Sequence, residues 1–129
     1  MRTLFIDLLG SPKIVKATIV GEVAAIEGVS WCAISSIEGF IHEVEGAPAI
    51  FLEAIGSLVP SILNTASLLL SNIELGKPRI VTLNGADGIL VIATINDSYS
   101  IICKTEKGAN LGMVRKQIEI ASENLLPLL

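Results

Sequence analysis

The chain has 129 residues, a length that suits one domain with a core of its own. Hydrophobic residues make up 51%, charged residues 17%, and the net charge is −4 with the basic residues scattered. This balance excludes general disorder and a clustered cationic face for nucleic acid; five aromatic residues are too few for a base-stacking platform.

The apolar share is high for a small monomer, which needs a polar skin, so part of the surface is expected to be covered by a partner. Residues 54–73 carry no charge over a length that can span a bilayer. Gly56, Pro60, Asn64 and Asn72 interrupt that stretch, and no membrane insertion is expected. The apolar cluster Leu4-Phe5-Ile6 is broken by Asp7, unlike a secretory signal, and two cysteines set far apart give no disulfide framework. The expected location is cytoplasmic.

Residues 1–10 read as an apolar N-terminal arm and residues 11–129 as a single domain. Ser11-Pro12 opens a first helix, with Val15, Ile19, Val23 and Ile26 at helical spacing and a stop at Glu27-Gly28. Val29 to Ser35 favours a strand. Ser36 to Gly39 makes a turn, and Phe40 to Val44 alternates as the second arm of a hairpin.

Ala47-Pro48 leads into a long helix, expected from Ala49 to Leu75. Glu53, Ser57, Asn64, Ser67 and Ser71 form one narrow polar stripe, the expected partner-binding surface. Almost everything else on the helix is apolar. A helix of that kind is covered on more than one side, by a sheet and by a second protein surface. Leu52, Ile55, Val59, Ile62, Leu63, Ala66 and Leu70 are the residues expected at that second surface. Pro60 removes a donor in mid-helix, so a kink is expected there, with a break into two helices as the alternative.

Gly76-Lys77-Pro78 closes the helix, and three strands follow: Arg79 to Leu83, Ile89 to Ile95, and Tyr99 to Lys104. Asn110 caps a last helix, whose buried stripe is Val114, Ile118, Ala121 and Leu125; Pro127 ends it. This order gives an α/β (α+β) domain, a mostly antiparallel meander sheet with helices on both faces.

Residues for chemistry are sparse. The one histidine, His42, has no convergent partner in the sequence, and Cys32 and Cys103 read as buried thiols on strands. No phosphate-binding loop and no dinucleotide turn is present. The chain is therefore expected to be no enzyme, with no catalytic residue, no metal and no cofactor.

Several phrases resemble the roadblock/LC7 family. Ile26-Glu27-Gly28-Val29, Ala33-Ile34-Ser35 and Glu38-Gly39 resemble that family's entry into its first hairpin. Asp87-Gly88-Ile89-Leu90-Val91 is similar to its central strand, and Asn110-Leu111-Gly112-Met113-Val114-Arg115 to the opening of its last helix. The resemblance covers about residues 12–126; the N-terminal arm and Pro60 depart from it.

It implies a five-stranded sheet in the order 2-1-5-4-3. It also implies a homodimer, or a dimer with a second roadblock-like protein, that pairs third strands edge to edge. Arg79, Ile80, Val81, Thr82 and Leu83 would form that seam. The implied function is a non-catalytic adaptor that binds a small Ras-like GTPase and modulates its nucleotide state. A structural subunit of a motor or other complex is the alternative, and a small-molecule sensor with a pocket near Trp31 or Tyr99 is the third reading.

Overall fold

The computed structural model describes residues 11–129; the expected arm, residues 1–10, lies outside them. Helix α1 spans Pro12–Ala24, and its first-turn proline follows an extended Ser11 that makes no side-chain cap. Strands β1 (Val29–Ser36) and β2 (Ile41–Glu45) form the first hairpin, around Gly39 at φ +93°. Pairing slips between Ile34 and Ser35, which leaves His42 as an extra residue on β2. The His42 ring meets Tyr99 edge-on, centroids 5.2 Å apart.

Helix α2 is continuous from Ala49 to Asn72 and passes through Pro60, so the alternative of two helices is not realised. It stops three residues before the expected Leu75, on hydrogen bonds from Glu74 N to Ser71 O (3.2 Å) and from Leu75 N to Leu70 O (2.8 Å). That double closure wants a left-handed residue between the two bonds, usually glycine. Here it is Glu74, at φ 61°. The sequence marked Gly76 as the stop, and the turn is made two residues earlier by a side chain that disfavours it. Glu74→Gly is therefore expected to stabilise the fold by about 1 kcal/mol, measured by thermal or urea unfolding.

Strands β3 (Ile80–Gly85) and β4 (Gly88–Thr94) are joined by Ala86-Asp87. Asn96 Oδ1 accepts from the amides of Ser98 (2.9 Å) and Tyr99 (2.8 Å), which turns the chain into β5 (Tyr99–Thr105). Helix α3 (Leu111–Leu125) opens on the expected cap, Asn110 Oδ1 accepting from Met113 N at 3.1 Å.

The sheet order is β2-β1-β5-β4-β3 with every neighbouring pair antiparallel, as the resemblance implies. Helices α1 and α3 cover one face, burying Val15, Ile19, Val114 and Ile118 against Cys32, Ile34, Val91 and Ile101. Helix α2 covers the other, where Val59 meets Trp31, Ala33, Ile92 and Ile102. The strand alternation divides these two sets and gives each sheet face its own apolar layer.

Candidate functional site

The two sheet faces are sheltered unequally. Under α2, only Gly56 and Val59 of the whole helix are buried. Gly56 allows this contact, because a Cβ there would strike the carbonyl oxygen of Gly39 in the β1–β2 turn. The helix therefore rests on the hairpin at Gly56, and its next turn drives Val59 into the core.

That docking fixes which side of α2 faces outward. Ile55, Ile62 and Leu63, expected at a subunit boundary, pack with Val59 on this chain's own sheet; Leu52, Ala66 and Leu70 are half-buried on the same side. The outward side carries a different row: Phe51, Ala54, Leu58, Ser61, Thr65, Leu68 and Asn72, every one exposed. The steps alternate three and four, the spacing of a seam that meets a second helix. Phe51 (50% exposed), Leu58 (59%) and Leu68 (58%) supply its apolar mass, with Ile50 and Leu69 exposed beside it. Small residues at 54, 61 and 65 let a second backbone come close. Asn72 turns its amide back onto Leu68 O at 2.8 Å, which blunts its polarity. By length and composition α2 could also cross a membrane, with a mean hydropathy of 1.5. In the fold it serves instead as one layer against the sheet.

Polar-stripe residues Glu53, Ser57 and Ser71 are exposed along one flank of that row. Asn64, exposed, and Ser67, half-buried, border a cleft between α2 and the sheet. At 100° per residue the stripe lies roughly a quarter turn from the centre of the apolar row.

Beside α2, β3 is an edge strand among the described residues. Thr94 N donates to Arg79 O at 3.0 Å, so positions 79 and 81 turn their amides towards β4, while Ile80 and Thr82 turn theirs outward. Of the expected seam residues, Val81 packs with the α2 layer and Ile80 with the opposite one. Leu83 is exposed, and Arg79 reaches α3 through Glu119 at 2.8 Å. Thr82 Oγ1 is enclosed without a hydrogen-bond partner.

Among the described residues, no three His, Cys, Asp or Glu side chains gather in a metal-binding group. Cys32 and Cys103 are direct cross-strand neighbours, both wholly buried. Burial pushes the Cys103 thiol up to about 12, and burial together with Cys103 pushes Cys32 higher still. Such thiols are poor nucleophiles. Neither is expected to react with iodoacetamide at pH 8 in the folded protein, and both should react after unfolding, as counted by mass spectrometry. Above the ordinary thiol value of 9.0 the unfolded chain loses these protons while the folded chain keeps them. Stability from the two thiols is thus complete below that pH and declines above it. On the surface, a hydrogen bond from Ser30, then Lys104, lowers the Glu106 carboxyl.

No family model matches the chain, and no curated protein matches it in sequence. Solved structures do match in shape. Myxococcus xanthus MglB superposes with a TM-score of 0.81 at 16% identity, over 88% of this chain and 94% of that one. A roadblock/LC7 domain from Streptomyces avermitilis gives 0.79 at 11% identity, over 86% and 94%. This chain has the roadblock/LC7 fold. The gliding protein MglB of Thermus thermophilus gives 0.82 at 17% identity, over 92% and 90%, with the same fold. At these identities the likeness is one of architecture. In this roadblock fold the outer row of α2 and the free side of β3 lie uncovered next to each other.

Proposed function

We propose that this chain is a non-catalytic, cytoplasmic roadblock-type adaptor that self-associates through α2 and β3, binds a small Ras-like GTPase and modulates its nucleotide state. The observation that carries the reading is the exposed three-four row on α2, from Phe51 to Asn72. It runs roughly 30 Å along the helix, enough for a long helix–helix contact. An exposed row of this length that carries Phe51, Leu58 and Leu68 is a liability for a lone subunit and an asset for a dimer. The outward amides of β3 at Ile80 and Thr82 offer a second, hydrogen-bonded strip alongside it. In the solved structures of this fold, one MglB is described with a tetrameric arrangement, which supports association between such chains.

With the apolar row covered by a second copy, Glu53, Ser57 and Ser71 on the flank stay open to a third protein. The mechanism is differential affinity: a dimer surface that binds one switch conformation better shifts the GTPase towards it. The test uses a Ras-like GTPase of the source organism, loaded with GDP or with a non-hydrolysable GTP analogue. A preference of about tenfold or more for one state, near 1.4 kcal/mol, is the expected result. Equal affinity for both states with an unchanged hydrolysis rate would leave a structural adaptor instead.

A further inference from the structure

A cleft of about 520 Å³ opens between the second half of α2 and the sheet. Its volume lies within the range of small-molecule sites. Three hydroxyl residues lie in register across its floor. Ser35 on β1 pairs with Ser100 on β5, which pairs with Thr94 on β4, so the row crosses three adjacent strands. It spans roughly 10 Å at ordinary strand spacing. Thr94 Oγ1 donates to Pro78 O at 2.9 Å and keeps its lone pairs for a donor. Ser35 is 1% exposed, and its Oγ has no hydrogen-bond partner. A buried hydroxyl left unpaired beside an open cavity marks a place where a polar atom is wanted.

The wall above is apolar, formed by Val59, Pro60 and Leu63 of α2. At the mouth stand Lys77 and Arg79 against a single acid, Asp97. Lys77 holds Asp97 at 3.3 Å, and Arg79 is shared with Glu119 outside the cleft. The Lys77–Asp97 pair is exposed and therefore weak, so Lys77 can turn to an incoming anion; the middle is apolar, and the floor offers hydroxyls.

We propose that this cleft is a ligand site for a small organic acid with an apolar body and a hydroxyl or carbonyl at the far end. The carboxylate sits at Lys77, the body lies under Val59 and Leu63, and the far polar atom satisfies Ser35. Trp31 is buried and does not line the cleft, whereas Tyr99 borders it with its ring packed on the opposite face.

Three probes separate the parts of the claim: 4-hydroxyphenylacetate, phenylacetate, and tyramine, which carries a cation in place of the acid. Each is titrated into ¹⁵N-labelled protein and followed by NMR. The expected result is saturable shifts at the amides of Ser35, Thr94 and Ser100 with 4-hydroxyphenylacetate, several-fold weaker binding of phenylacetate, and none with tyramine. Ser35→Ala should weaken 4-hydroxyphenylacetate several-fold and leave phenylacetate unchanged. Leu63→Trp, which fills the cleft, should abolish both while the spectrum remains that of a folded protein. Absence of saturable shifts with all three probes overturns the proposal, as do equal shifts in the Leu63→Trp protein. Changes at the cleft on raising protein concentration alone would assign it to a second copy of the chain and overturn it too.

Discussion

Gly56→Ala is expected to lower stability by about 2 kcal/mol, the cost of forcing one extra methyl into a filled contact. The new Cβ would meet the Gly39 carbonyl, a backbone atom with no rotamer to move. Either α2 lifts away from the β1–β2 turn, taking Val59 with it, or the turn that holds Gly39 at φ +93° must shift. The same chemical change at Gly21 should have the opposite sign. Gly21 lies within α1, and a Cβ there meets nothing within 4 Å. Removing its backbone freedom should raise stability by about 0.5–1 kcal/mol. Urea unfolding of both variants, at one fixed protein concentration, checks the pair. A neutral Gly56→Ala would mean that α2 does not rest on the hairpin as described.

The second large effect concerns the outer row. Leu58→Glu with Leu68→Glu is expected to convert a self-associated protein into a folded monomer. Both side chains are exposed in the single chain, so the substitutions leave the core intact. In a helix–helix contact each glutamate would be a charge without a partner, at a cost of about 3 kcal/mol or more, roughly a hundredfold in Kd per site. Circular dichroism should show unchanged helix content while light scattering shows half the mass. The matched control is Glu53→Gln, on the flank, which should leave the mass unchanged. Loss of helix in the double variant would place these leucines in the core and contradict the orientation of α2.

The kinds and order of the elements were readable because each carries its own period and punctuation. Val114, Ile118, Ala121 and Leu125 repeat at helical spacing behind a capping Asn110, and all four are buried. Gly28 and Gly39 mark turns and do adopt positive φ. The rotation of α2 was not readable. A helix that is apolar almost all round gives periodicity no phase, so Ile55, Ile62 and Leu63 looked as suited to a partner as Phe51, Leu58 and Leu68.

The phase is set by Gly56 against Gly39, a contact between residues that sequence alone does not bring together. A signal did exist in the strict three-four spacing from Phe51 to Asn72. Ser61, Thr65 and Asn72 masked it by reading as polar breaks. The hydroxyl row of Ser35, Ser100 and Thr94 was hidden for a related reason. It comes together only through the register of β1 on β5 and of β5 on β4, which the implied strand order does not supply.

Sedimentation equilibrium of the unmodified protein tests the central claim most directly. If the outer row of α2 is a surface for a second copy, the mass should be twice that of the chain and should fall to the single-chain value only on dilution. A monomer that persists to about 1 mM, where even a weak contact of −4 kcal/mol would register, contradicts the account.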